Sequence, residues 1–285
     1  MQTLYKLRAE FVKQLEAYYP PEEIESLFYI LTTDILSISR LQAQMNLQQE
    51  LGDSTVEEFW RVLELLKKQF PIQHILGQAP FYGFMFDVNK HTLIPRPETE
   101  ELVHLVIAQE EKRSAPKILD IGTGSGCIAI SLAKKIPHSS VHGIDISNEA
   151  LIIATRNASK MNAAVLFQNL DVLNWHDWIR KSDTYDVIVS NPPYITPTEK
   201  LEMNVQVLDH EPHSALFVED ADPLVFYREI AAFAALQLTA DGALYFEINQ
   251  YLASETKSVV QAQGFSNVEI LCDINGAKRI LYCRR

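Results

Sequence analysis

Cysteine, glycine and positive charge are all in short supply. The 285 residues include 3 Cys, 10 Gly and 13 Pro. The cysteines (Cys127, Cys272, Cys283) are an odd number without Cys-x-x-Cys spacing. That argues against a disulfide framework or a cysteine-rich zinc site and suits a reducing compartment. The modest glycine and proline content rules out a collagen-like chain. Long apolar runs are missing as well: stretches such as Cys127-Ile128-Ala129-Ile130 fall far short of the ~20 residues that cross a bilayer. The opening MQTLYKLRAEFVKQ has no apolar leader core, so a cytoplasmic protein is expected, with no membrane contact. Lys and Arg number 25 against 37 Asp and Glu, a formal charge of −12. The deficit is general: residues 1–94 carry 8 basic and 12 acidic side chains, and the remainder 17 and 25. Neither part offers the basic footprint that holds a phosphate backbone, so a small molecule or a protein is the expected partner, with no direct nucleic-acid contact.

What the chain does have is ordinary globular composition, 47% hydrophobic, in a length that suits about two domains. Leu4, Leu7, Phe11 and Leu15 recur at helical steps, as do Ile24, Leu27, Phe28 and Leu31. Ser54-Thr55-Val56-Glu57 has capping-box spacing ahead of Phe59, Val62, Leu63 and Leu66, and that helix should stop before Pro71. A small N-terminal helical bundle over residues 1–75 follows from these stripes. Residues 76–97 change character: Phe81–Val88 reads as a hairpin with turn-forming Gly83, and Leu93-Ile94-Pro95-Arg96-Pro97 as a stiff connector. From 98 to 285 strands alternate with helices, the pattern of a doubly wound α/β sheet. Strands are expected at 117–121, 141–145, 165–170, 185–190, 243–248, 267–272 and 279–283. Only six residues separate the last two, too few for a helical crossover, so they form an antiparallel hairpin.

Two stretches carry chemistry. Asp120-Ile121-Gly122-Thr123-Gly124-Ser125-Gly126 ends the first strand and opens a helix, where glycines let the backbone turn sharply near a ligand. Cys127 stands where a dinucleotide fingerprint needs Gly, and no Gly-Lys-Ser/Thr follows as in a P-loop. Asp120 beside the glycines suits an ammonium better than a pyrophosphate. S-adenosylmethionine has an ammonium, a sulfonium and no phosphate. Asp145 closes the second strand, placed to accept from both ribose hydroxyls, and Asp171 closes the third, placed to accept from the adenine amino group. Each acid alone also fits a strand-end cap; three at successive strand ends form a row.

The fourth strand runs into Asn191-Pro192-Pro193-Tyr194. Two prolines cannot continue a ladder, so they make a rigid corner at the strand's carboxyl end, where doubly wound sheets bind ligands. An amide or arylamine nitrogen is a poor nucleophile because its lone pair is delocalised. The Asn191 side-chain carbonyl and the Pro192 backbone carbonyl offer two acceptors for the two N–H bonds of one NH2 group. Held that way, the nitrogen can aim at a methyl donor. Tyr194 is placed to stack on a planar substrate. An Asn-Pro turn with a buried Tyr is the bland alternative.

The chain resembles the release factor glutamine methyltransferases, the PrmC/HemK family. Arg96-Pro97-Glu98-Thr99-Glu100, the glycine loop, Asp145, Asn-Pro-Pro-Tyr, Glu211-Pro212 with Ala215-Leu216, and Asp273…Gly276…Arg279 all fall in family order. The resemblance implies a Rossmann-like class I methyltransferase domain that uses S-adenosylmethionine. It would methylate the side-chain amide nitrogen (N5) of the glutamine in the Gly-Gly-Gln loop of class 1 peptide chain release factors, with that loop entering between the two domains. Gly122, Thr123, Gly124, Ser125, Gly126, Asp145, Val172 and Asn191 would contact the cofactor, and Asn191, Pro192, Pro193 and Tyr194 would hold the glutamine. Val172 stands where family members often place a larger side chain, and Glu247-Ile248-Asn249 replaces a familiar Glu-Ile-Gly. Asn-Pro-Pro-Tyr is shared with amino-methyltransferases acting on adenine or guanine, so a nucleic-acid substrate is the main alternative. A cofactor-binding module without catalysis is a second, and a nicotinamide oxidoreductase a weaker third. Arg96, Glu98 and Glu100 fit either a solvated helix start or the mouth of a site. His210 and His213 flank Glu211 with no further suitably spaced ligand, so no metal is expected. Glu247 reads as structural, and Trp175 and Trp178 as packing.

Overall fold

Apolar stripes at helical spacing fold the first part of the chain on itself. The computed structural model describes residues 2–180, 183–200, 205–218 and 221–285. Short strands β1 (Gln2–Thr3) and β2 (Glu50–Leu51) pair antiparallel around α1 (Leu4–Leu15), α2 (Pro21–Leu36) and α3 (Arg40–Met45); α4 (Asp53–Lys67) and α5 (Ile72–Leu76) follow. The expected stripes are the buried ones: Leu4, Leu7, Phe11 and Leu15 on α1, Phe59, Val62, Leu63 and Leu66 on α4. Phe28 meets Phe11 and Phe59 at ring-centroid distances of 5.5 and 5.9 Å, each such pair adding about 0.5–1.5 kcal/mol beyond burial.

The cap at Ser54 is not formed. Helix α4 starts two residues earlier than a Ser54 cap requires, behind Gly52 with no side-chain cap, so Ser54 already lies in the first turn. The capping box forms instead at α3, where Ser39 Oγ accepts from Gln42 N and Gln42 Oε1 from Ser39 N. The chain through Gly77, together with Val205–His210, makes one compact unit, and the rest of the chain a second. Residues Val205–His210 thus belong with the helical unit although they lie late in the sequence: His210 stacks on Phe70 at 3.9 Å and meets the Lys68 carbonyl.

The larger unit begins with β3 (Gln78–Phe81) and β4 (Phe84–Asp87), joined by Tyr82-Gly83, both with positive φ (49° and 81°). That is the geometry of a two-residue type I′ hairpin turn, and the first strand lies upstream of Phe81. Helix α6 (Pro97–Glu110) follows, with Pro at its first position and Glu98 and Glu100 in its first turn. Then come β5 (Lys117–Ile121), α7 (Cys127–Lys135), β6 (Ser140–Asp145), α8 (Asn148–Lys160), β7 (Val165–Asn169), β8 (Tyr185–Ser190), α9 (Pro197–Lys200), α10 (Val205–His210), α11 (His213–Leu216), α12 (Val225–Gln237), β9 (Leu238–Glu247), α13 (Ala253–Ala262), β10 (Asn267–Cys272) and β11 (Lys278–Arg284). Seven of these strands form one sheet in the order β10-β11-β9-β8-β5-β6-β7. The central pairs are parallel; β11 runs antiparallel to both neighbours. Strand β9 starts five residues before the expected 243: Leu238 pairs with Tyr185, and the register then shifts so that Val187 meets Ala243.

Apolar side chains cover both faces of the sheet. On one face Tyr185, Ile188 and Leu244 pack with α12 and Trp175; Trp175 and Trp178 both meet Phe233, as packing residues should. On the other, Ile118, Val187 and Tyr245 pack under α6, α7 and the hairpin's Phe81 and Phe86. Asn157 of α8 ties this layer to the glycine loop. Its Oδ1 accepts from Asp87 N at 2.8 Å, and its Nδ2 donates to the Asp87 and Ser125 carbonyls at 3.0 and 2.9 Å.

Candidate active site

Strand register decides which residues leave the sheet together. Ile121 of β5 lies opposite Ser190 of β8, and Ser190 opposite Phe246 of β9. The residues that follow, Gly122, Asn191 and Glu247, therefore emerge side by side at the carboxyl edge, where the strand order reverses. Ser190 Oγ reinforces the junction by donating to the Ile121 carbonyl at 2.7 Å.

A cavity of about 320 Å³ opens at this edge, within the range of small-molecule sites (about 300–1,000 Å³). Of the expected residues, Gly122, Gly124, Asp145, Asp171, Val172, Asn191, Pro192 and Pro193 line it. Gly122 and Gly124 have φ of 72° and 54°, and a Cβ on either would meet nothing within 4 Å. Their bare backbone faces open space. Gly126 does other work: a Cβ there would lie 2.9 Å from Ile130 and 3.2 Å from Ala154 and Phe167, so it is a packing glycine at the start of α7 and does not line the cavity.

Asp145 holds the loop. Its Oδ2 accepts from Gly124 N at 2.8 Å and its Oδ1 from Ser147 N at 2.9 Å. Burial pushes its carboxyl above the ordinary carboxylate range, against the pull of those N–H groups. One lone pair on each oxygen remains for a ligand. Asp120, Thr123 and Ser125 stand behind the loop and not on the cavity wall. Asp120 is wholly buried, and its Oδ2 accepts from Thr123 Oγ1 at 2.6 Å and Ala129 N at 3.2 Å. Its Oδ1 has no partner among the described residues. Burial lifts its carboxyl to about 7. Asp171 caps a short 3-10 turn: Leu173 N donates to Oδ1 and Asn174 Nδ2 to Oδ2, which turns Val172 and Leu173 toward the cavity.

The Asn-Pro-Pro-Tyr corner divides. Asn191, Pro192 and Pro193 line the cavity; Tyr194 does not, and packs against the sheet's core with its hydroxyl donating to Glu247 Oε1 at 2.9 Å. Burial and Glu247 push that phenol far up. Glu247 is itself buried and also accepts from Thr99 Oγ1 at 2.6 Å; burial raises its carboxyl, while Thr99, Tyr194 and Arg279 oppose the rise. Thr99 in turn accepts from Asn191 Nδ2 at 3.2 Å. Asn249 replaces backbone freedom with bonds: its Nδ2 reaches the Tyr194 carbonyl and Glu199.

His91, Leu93, Pro212, Ser214, Ala215 and Phe217 also line the cavity. Buried Glu211 joins these two segments, taking the Ile94 N–H on Oε2 at 3.1 Å and pairing with Arg96 through Oε1 at 2.5 Å. Arg96 thus ties the start of α6 to Glu211, while Glu100 accepts from Tyr82 N in the hairpin turn. Sequence reading assigned no role to Glu211, Thr99 or Asn157, and treated Glu247 as scaffold. The available signals were a Thr buried in a polar first turn and an acid ending a strand beside Asn191.

The reversed final strand, a glycine loop on the first parallel strand and an acid closing the second define a class I methyltransferase. Residues 101–218 match the family model described as Methyltransferase small domain, and residues 6–77 that of the PrmC N-terminal domain. Over 277 residues the chain is 45% identical to the release factor glutamine methyltransferase of Flavobacterium psychrophilum, covering 96% of each. Over 280 residues it is 44% identical to that of Bacteroides thetaiotaomicron, covering 98% of this chain and 99% of the relative. A crystal structure of a methyltransferase from Pyrococcus furiosus shares the fold at a TM-score of 0.52 and 18% identity, over 79% of this chain and 97% of that one. The chain belongs to the release factor glutamine methyltransferase family.

Proposed function

We propose that this chain transfers a methyl group from S-adenosylmethionine to the side-chain amide nitrogen (N5) of the glutamine in the Gly-Gly-Gln loop of class 1 peptide chain release factors. Family membership supports the reaction. The observation that carries the residue assignment is that Asn191 and Pro192 share one cavity with Gly122, Gly124 and Asp145.

The residues present suit the cofactor. Open backbone at Gly122 and Gly124 leaves room for close approach, and Asp145 keeps lone pairs for the ribose hydroxyls. Val172 and Leu173 give an apolar slot for a purine, with Asp171 at its edge. The wholly buried Asp120, whose Oδ1 has no partner among the described residues, stands behind the loop, where a bound cation would favour its ionised form. When bound, S-adenosylmethionine supplies a methyl group activated by its sulfonium.

The chain's own part is positioning. Asn191 Oδ1 and the Pro192 carbonyl accept the two N–H bonds of the substrate amide, which turns its nitrogen toward the methyl donor. Pro193 keeps the corner rigid, and Tyr194 braces it from behind through Glu247. No ionised base is needed at the nitrogen: as the N–C bond forms, the nitrogen becomes acidic and releases its proton to water. Among the described residues no helix is long and apolar enough to cross a membrane; we place the reaction in the cytoplasm, on the factors that terminate translation.

Mass spectrometry of a class 1 release factor co-expressed with this chain tests the reading. One added methyl on its Gly-Gly-Gln peptide, absent with Asn191→Ala, is expected. An unmodified factor, with DNA or RNA accepting label instead, refutes it.

A further inference from the structure

An Asn side chain can present either its carbonyl or its NH2 to a ligand, and only the carbonyl can accept from a substrate NH2 group. Something in the protein must choose. Asn191 Nδ2 lies 3.2 Å from Thr99 Oγ1, and Thr99 Oγ1 lies 2.6 Å from Glu247 Oε2. Thr99 and Glu247 are buried and Asn191 half-buried, and all three stand at the carboxyl edge of the same sheet.

A hydroxyl has one proton to give. An ionised carboxylate accepts only, so Thr99 must donate to Glu247 and accept from Asn191. The Asn191 amide is then turned with its NH2 inward and its Oδ1 left for the cavity. The second oxygen of Glu247 is held the same way, by the Tyr194 hydroxyl at 2.9 Å. Two hydroxyl donors therefore converge on one carboxylate, and Arg279, itself paired with Asp273, adds positive charge nearby. Reversing the chain would require a proton on Glu247; Thr99 would then donate to Asn191 Oδ1, and the NH2 would meet the substrate's NH2.

We propose that Thr99 and Glu247 are positioning residues for methyl transfer, acting as a one-way hydrogen-bond relay that fixes which end of the Asn191 amide faces the substrate. The proposal rests on the reading of Asn191 given above. It makes Thr99 of the Arg-Pro-Glu-Thr-Glu stretch a functional hydroxyl in a helix turn that needs no cap from it, and gives the strand-end acid a role beyond scaffold.

The test compares wild type with Thr99→Val, which keeps shape without the hydroxyl, and Thr99→Ser, which restores the hydroxyl. Three quantities are read: kcat for methylation of a class 1 release factor, the dissociation constant for S-adenosylmethionine by calorimetry, and the Asn191 side-chain NH2 signals in the nitrogen–proton NMR spectrum of the cofactor-free protein. Thr99→Val should lower kcat about 10- to 100-fold, the scale of a misaligned reacting group. Its cofactor affinity should stay within twofold, and the Asn191 amide signals should shift. Thr99→Ser should recover most of kcat and the wild-type signals. A Thr99→Val enzyme with wild-type kcat overturns the relay. So does equal loss in both variants, or a loss that follows cofactor affinity, since these mark plain structural damage. Wild-type protein that binds the cofactor but leaves the release factor unmethylated overturns the functional reading, and the relay with it.

Discussion

Replacing Asp145 with Asn turns one of two engaged acceptor oxygens into a donor. In the folded protein its two oxygens take the Gly124 and Ser147 N–H groups at 2.8 and 2.9 Å. An Asn side chain offers one oxygen and one NH2, so whichever way it turns, an NH2 confronts an N–H. Hydrogen bonds to charged groups contribute about 1.5–3 kcal/mol each. The variant loses one toward the loop and weakens the acceptor left for a ribose hydroxyl. The loop bond is lost with or without cofactor and falls on folding; the ribose acceptor alone falls on binding, about 1.5–3 kcal/mol, or about 10- to 150-fold in the dissociation constant at 1.4 kcal/mol per tenfold. Calorimetric titration with S-adenosylmethionine measures it directly. Thermal unfolding of the free protein reads the loop term alone. An affinity within threefold of wild type would mean that Asp145 only caps the turn, and the assignment of the ribose to that carboxylate would fall.

Two glycines of the same loop should separate packing from binding. Gly126→Ala drives a Cβ against Ile130, Ala154 and Phe167 at a φ of 81° and should cost about 2–3 kcal/mol in urea unfolding. Gly124→Ala meets nothing within 4 Å, costs folding only the roughly 1–2 kcal/mol of left-handed backbone strain at its φ of 54°, and should show its larger effect in cofactor affinity. Asn157→Leu strands the Asp87 N–H and the Asp87 and Ser125 carbonyls; a loss of about 3 kcal/mol is expected in the same assay, and a loss under 1 would show that the hairpin does not depend on it. Asp120 gives a pH signature. Its carboxyl is lifted to about 7 in the folded protein, against about 3.9 unfolded. A raised acid is a folded-state cost that is absent below pH 4 and complete above pH 7, so stability falls as pH rises through that window. Asp120→Asn removes the charge, and its melting temperature relative to wild type should climb by several degrees from pH 5 to pH 8. A constant difference would refute burial of charge as the cause.

Much of this protein is legible in its sequence, for reasons that differ by element. The parallel strands are short, apolar and bounded by turn residues, so 117–121, 185–190 and 267–272 coincide with β5, β8 and β10. The glycine loop and the proline corner announce themselves because few other residues tolerate their backbone geometry. What stayed hidden depends on partners far away in sequence. Thr99 and Glu247 are 148 residues apart, Ile94 and Glu211 117, and no local pattern marks either pair. The cap at Ser54 failed for the opposite reason: a local signature was present, but the helix begins two residues earlier than that cap requires. The bond from the Tyr194 hydroxyl to Glu247, 53 residues away, is likewise invisible to any local pattern.

The reversed strand β11 has a consequence for how this enzyme is made. It follows every other strand of the sheet in sequence, yet it sits inside, between β9 and β10. Until it emerges from the ribosome, β9 carries a bare hydrogen-bonding edge and β10 has nothing to pair with. Such an edge invites association with other chains. Glu247, at the end of β9 and opposite Ile280 in the ladder, is settled in place only when that insertion is complete. A nascent chain halted before residue 278 would therefore hold its glycine loop and proline corner while lacking a finished wall behind them.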